Sequence, residues 1–251
     1  MLRRCLRGKS DRTRKKRPVK AAGNSSPISA TLTRVRVCLG MDFDLSRTSH
    51  KDTYNLLIGL VAPRPIALIT SLDQNGTLNA APFSAYNYLG TDPAIVAIGV
   101  GNRPAPGVVG KDTARNIRNM REFVINVVNE DIAGPMNICA IDFPPGVNEL
   151  EKAGLTASPS SVVKVPRIAE APAALECREL TTLEVGRSRV ILGTVVHIFV
   201  RDEFVDPSGP YIRAETLHSI GRMNGLGNYV RTRDFFRLER QRFEDWEKNQ
   251  E

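Results

Sequence analysis

The stretch 66–72 (IALITSL) is apolar and β-branched, stops at Asp73, Gln74, Asn75 and Gly76, and restarts at Thr77. β-Branched runs favour extended backbone and Asn-Gly supplies the positive φ angles of a tight turn, so this segment predicts a hairpin. Further strand-like runs cover 94–100, 123–128, 174–185 and 189–200, the last two joined at Gly186 and Arg187. The helical signals are short. Ser49, with Asp52 three residues on, caps a helix through Tyr54, Leu57 and Ile58 that Pro63 ends, and others fall at 113–120, at 131–139 with a break at Pro135, and at 149–153. Long strands, few short helices and no regular strand–helix alternation argue against a doubly wound nucleotide fold. They predict a mainly β protein, a closed or nearly closed antiparallel barrel, because closure removes exposed strand edges.

Charge divides the chain. Residues 1–40 hold 12 Lys and Arg against Asp11, whereas 41–251 hold 23 bases against 26 acids, so the formal +8 belongs to the first forty residues. The expected organisation is a basic, disordered extension at 1–40, or sequence ahead of a true start at Met41, followed by one domain at 41–251. The run Arg12, Arg14, Lys15, Lys16, Arg17 also suits a nuclear address or nucleic-acid arm, and its Arg-rich character a transit peptide. Against both, the extension carries no helical apolar stripe and no aromatic residue to stack on a base. No apolar run approaches the roughly 20 residues of a membrane span. Cys5, Cys38, Cys139 and Cys177 form no CxxC pair, which suits neither a disulfide framework nor a zinc site and favours a reducing, cytoplasmic setting.

Most catalytic signatures fail on spacing. No GxSxG surrounds a serine, and His50, His197 and His218 are too scattered for a local metal motif. Gly110-Lys111 resembles a phosphate loop, but Ala105 stands where its first glycine belongs and Asp112 where a magnesium-binding hydroxyl belongs. Gly225-Leu226-Gly227 lacks the third glycine of a dinucleotide fingerprint. What survives is a helix start at Lys111, Asp112 and Thr113, where an ammonium, a hydroxyl and unpaired amides could receive a terminal phosphate; alternatively Thr113 merely caps the helix. A second polar cluster runs from Asn79 through Phe83, Ser84 and Asn87, with small residues that let backbone approach a flat ligand. Thr70 and Ser71 end the first strand with hydroxyls.

These segments together resemble the flavin reductase family with the FMN-binding split barrel, of the flavoredoxin and nitrilotriacetate monooxygenase component B type. The resemblance spans about residues 43 to 235, in order through 64–71 (RPIALITS), 79–87 (NAAPFSAYN), 111–117 (KDTARNI), 122–128 (EFVINVV), 142–155 (DFPPGVNELEKAGL), 174–178 (ALECR) and 221–229 (GRMNGLGNY). It implies an antiparallel, Greek-key-like split barrel with a few short helices that binds FMN. By that resemblance Thr70 and Ser71 line the flavin, Phe83, Ser84 and Asn87 hold its ring and ribityl chain, and Lys111, Asp112 and Thr113 sit at its phosphate. Asp112 fits a dianion only if it caps its helix or pairs with a cation such as Arg115. The loop of Gly221, Gly225, Gly227, Asn228 and Tyr229 closes over the pocket, and Arg64 is either a ligand-facing cation or one half of a surface ion pair. The excursion 142–155 screens the site.

The resemblance further implies a homodimer, NAD(P)H as hydride donor, a small-molecule or protein acceptor such as a monooxygenase component, no catalytic acid or base, and no metal. The alternatives are an FMN-binding electron carrier or flavin store without efficient NAD(P)H turnover, and a module in which the basic extension binds nucleic acid and the barrel is only structural.

Overall fold

The computed structural model describes residues 40–101, 111–144, 146–225 and 227–248. The extension expected at 1–40 lies, but for Gly40, outside the described residues. Asp44–Glu251 forms one compact unit.

Helix α1 (His50–Leu60) begins where its cap signal put it, with the Ser49 hydroxyl accepting from the Asp52 amide. The main sheet uses β1 (Ala67–Leu72), β2 (Leu78–Phe83), β3 (Tyr86–Thr91), β4 (Ala94–Gly101), β5 (Glu122–Val127), β8 (Ala173–Val185) and β9 (Ser188–Val200). Between and after them lie α2 (Asp112–Met120), α3 (Ala133–Ile138), α4 (Glu149–Lys152), the short pair β6 (Ala157–Ser158) and β7 (Arg167–Ile168), α5 (Ala214–Leu217), the hairpin β10 (Ile220–Arg222) and β11 (Tyr229–Arg231), and α6 (Phe243–Lys248). Every pairing in the sheet is antiparallel, in the order β2-β1-β5-β8-β9-β4-β3. The fold is mainly β with few short helices, as the patterning predicts.

The two outermost strands, β2 and β3, follow each other in the chain and are separated only by Ser84 and Ala85. Three peptide steps reach about 10 Å at most, so the sheet has to roll until its edges nearly meet. At that turn the Gly99 amide donates to the Ala85 carbonyl at 2.6 Å, which carries the β3–β4 ladder one residue into the connection. Gly99 permits the approach, since a Cβ there would stand 3.0 Å from the Ala85 Cβ. Inside the roll pack Ala67, Ile69, Phe83, Val96, Ile98, Phe123, Ile125 and Ile191. The opposite face of β1 sends Leu68 into a second core with Ile132, Met136, Leu150 and Ile168, beneath α3 and α4.

Two expectations change. The helix expected to break at Pro135 does not, because Pro135 is the third residue of α3, where an amide has no intrahelical acceptor to lose. The cluster at 79–87, which falls outside the strand-like runs, supplies most of β2, the seam and the start of β3. Its Ala, Pro and Asn residues are poor strand formers, and pairing with β1 on one side and β4 on the other fixes their conformation.

Gly193 on β9 faces the same core, where a Cβ would come within 2.5 Å of the Phe123 ring. Gly193→Ala is expected to destabilise the unit by about 1–3 kcal/mol, read as a lower urea midpoint with an unchanged slope.

Candidate functional site

The seam gathers most of the polar chemistry. Phe83 ends β2 with its ring buried, and the Lys111 Nζ stands 5.7 Å from that ring's centroid, a cation–π distance. The Ser84 hydroxyl accepts from Arg64 Nε at 3.3 Å. The same guanidinium donates to the carbonyls of Ile58 at 2.8 Å, Val61 at 2.6 Å and Met223 at 2.8 Å. One cation therefore joins the end of α1, the β2–β3 turn and the loop 223–228. Arg64 is not one half of a surface ion pair: its hydrogen-bond partners are three carbonyls and a hydroxyl, with no carboxylate among them. Its backbone also pairs with Arg222, and the Met223 amide donates to the Asn228 carbonyl at 3.0 Å, which fixes the base of that loop.

Lys111 occupies the N-cap of α2 in extended conformation with no side-chain cap. The positive end of a nine-residue helix and an ammonium thus coincide. Asp112 pairs with Arg115 one turn on, so its carboxylate does not stand as a bare like charge beside an anion. Thr113, 1% exposed, does not cap the helix; its hydroxyl accepts from Asn79 Nδ2 at 3.2 Å. Asn116, one turn further along the same buried stripe, donates to the Ser71 hydroxyl at 3.2 Å.

Strand alternation separates the two hydroxyls expected to act together. Ser71 faces α2, while Thr70 faces the other way, donating to the Pro166 carbonyl at 2.7 Å and accepting from Asn126 Nδ2 at 3.3 Å. Both are fully buried. Asn87 is exposed on β3 with its Oδ1 accepting from the Tyr88 amide, and Asn228 is exposed in its loop, donating to Asn224 Oδ1 and the Gly225 carbonyl. The structure brings Lys111 to Phe83 and, through Arg64, Ser84 to the loop of Asn228. It leaves Ser71 and Thr113 in a buried polar layer behind them and Thr70 on the far face.

Several residues escaped the sequence reading. Glu149 accepts from the Ala80 amide at 2.9 Å, which fastens the excursion 142–155 onto the edge strand β2. Pro144 and Val147 of that excursion line a small cavity with Asp112 and Asn116 beside the start of α2. The signal for Asn116 was present in the helical spacing that buries Thr113, Ala114 and Ile117 beside it. Burial pushes the Cys139 thiol up to about 12 and raises that of Cys177 as well, so neither offers a thiolate at neutral pH. Among the described residues there is no cluster able to hold a metal ion, and no helix is long and apolar enough to cross a membrane.

A seven-stranded antiparallel sheet rolled onto a polar seam defines a split-barrel protein. Residues 60–218 match the family model described as flavin reductase like domain. A protein of Deinococcus radiodurans is 39% identical over 210 residues, 82% of this chain and 92% of its own. Among solved structures, 2-nitrobenzoate 2-nitroreductase of Pseudomonas fluorescens is 37% identical with a TM-score of 0.74, over 81% of this chain and 98% of that one. Nitrilotriacetate monooxygenase component B of Bacillus cereus is 30% identical with a TM-score of 0.75, over 80% of this chain and 100% of that one. The chain belongs to the flavin reductase like domain family.

Arg64→Ala should cost about 2–3 kcal/mol of stability, the scale of charge-assisted hydrogen bonds left unmade, and should open the loop 223–228 to protease. Arg64→Lys should restore only part of this, because a single ammonium cannot reach four acceptors spread over three segments. Urea unfolding and the time course of limited proteolysis read the two effects.

Proposed function

We propose that the protein is an FMN-dependent NAD(P)H oxidoreductase that works as a homodimer and passes reducing equivalents to a small-molecule or protein acceptor. The observation that carries the reading is the Lys111 ammonium at the uncapped start of α2, set over the Phe83 ring and beside the Ser84 turn. That donor set suits a flat ligand ending in a phosphate. Family membership supports a flavin as that ligand, and the resemblance to a nitroreductase and to a monooxygenase component supports an acceptor beyond it.

When bound, the flavin supplies hydride acceptance from NAD(P)H and onward electron transfer. The protein's part is to bind, orient and exclude water. Lys111 and the amide end of α2 hold the phosphate, while Asp112 stays paired with Arg115. Because Arg64 donates to the Ser84 oxygen, the Ser84 proton is left to donate to a ring or ribityl oxygen. The β2–β3 turn, from Phe83 through Ser84 and Ala85, offers backbone that a flat ligand can approach closely, with Asn87 and the Asn228 loop at its margins. Thr70, Ser71 and Thr113 act behind that turn by keeping β1 and α2 in place. The excursion 142–155 limits water at the phosphate end.

Lys111→Ala is expected to weaken FMN binding at least tenfold, about 1.5 kcal/mol, when followed by flavin fluorescence titration. Unchanged affinity would discard the phosphate assignment. NADH and NADPH oxidation should both be assayed with and without added FMN; absence of flavin-dependent oxidation of either would discard the oxidoreductase reading and leave a carrier.

A further inference from the structure

Two apolar surfaces of the folded unit stay exposed, one along α1 and one on the chain after β11. Along α1 and its C-cap, Tyr54, Leu57 and Val61 recur at helical spacing and are 57%, 52% and 59% exposed, with Leu60 beside them, and no residue of the helix is buried. The chain is anchored just after β11. Thr232 bonds to the Ser219 carbonyl through amide and hydroxyl, and Arg231 and Arg233 hold the Glu130 carboxylate at 2.8 and 2.7 Å. From residue 234 onward, the described residues make no hydrogen bond or ion pair to the rest of the unit. Phe235, Phe236, Leu238, Phe243 and Trp246 all stand exposed on this arm. Their spacing suits one side of a helix, yet only Phe243–Lys248 is helical, with the Phe243 and Trp246 rings stacked.

The charge of the arm selects among occupants. Residues 234–248 carry Arg237, Arg240, Arg242 and Lys248 against Asp234, Glu239, Glu244, Asp245 and Glu247, so they present no field for nucleic acid or an anionic membrane. Area points to a copy of this chain: the arm's five large side chains and the four on α1 together offer on the order of 800 Å² per copy, one side of a standard interface. Two complementary surfaces on one chain close into a symmetric pair when each arm meets the other copy's α1.

We propose that residues 234–248 of one copy lie along α1 of a second copy and clasp the homodimer. The inference rests on the homodimer reading above and names the elements that make it. Because Arg64 ties the end of α1 to Ser84, the partner's arm then forms an outer wall beside the proposed flavin site.

Trp246 is the single tryptophan of the chain and reports on the arm directly. In sedimentation of the full chain the dimer mass is expected, with Trp246 emission shifting to the blue as the pair forms. A chain ending at Arg233, the double variant Phe235→Ser with Phe236→Ser, and the α1 double variant Leu57→Lys with Val61→Lys should each weaken the dimer at least about a hundredfold. Far-UV circular dichroism verifies that each remains folded. A monomeric full chain, a truncated chain that keeps the full chain's dimer constant, or emission that ignores concentration would each overturn the clasp. FMN binding is read separately in the same samples, so a dimer that binds no flavin refutes the cofactor reading alone, and a flavin-loaded monomer refutes the clasp alone.

Discussion

The constraint on which the rest depends is the two-residue connection at Ser84 and Ala85. It joins the outermost strands of a seven-stranded sheet, so the sheet cannot stay open. Rolling sends one face of β1 into the barrel and the other toward α3 and α4, which is why this single strand feeds two cores. It also brings Phe83, at the end of β2, beneath Lys111 at the start of α2, although 28 positions separate them in the chain.

Polar groups at such a junction cannot be left to water alone, and Arg64 satisfies several of them at once. Ile58 and Val61 are helix-terminal carbonyls with no further turn to bond to, and Met223 opens a loop; the planar guanidinium serves all three and Ser84 besides. For the ligand proposed at the seam, such a wall would already be ordered, which would lower the entropic cost of binding. The buried layer of Asn79, Thr113, Asn116 and Ser71 does the same from behind by fixing α2 against β1 and β2.

Much of the barrel was legible because local chemistry and long-range pairing agree in it. The Asn75-Gly76 turn, the β-branched runs of β1 and β9, and the Ser49 cap each announce their element. The hairpin turn announced the start of β2, but its continuation to Phe83 and the whole of β3 were not legible, since Ala80, Ala81 and Pro82 acquire strand conformation only from the neighbour that pairs with them. The role of Arg64 was hidden for a related reason: its acceptors come from positions 58, 61, 84 and 223, which no local window contains. The separation of Thr70 from Ser71 was within reach, because adjacent strand residues face opposite ways.

The account turns on a phosphate-bearing flavin at the seam. The measurement that tests it most directly is mass spectrometry of the supernatant released by heating the purified full-length chain after saturation with mixed flavins and dialysis. The account predicts FMN at about one per chain, matching one seam in each copy of an isologous pair. Release of FAD alone, or of no flavin, would contradict it.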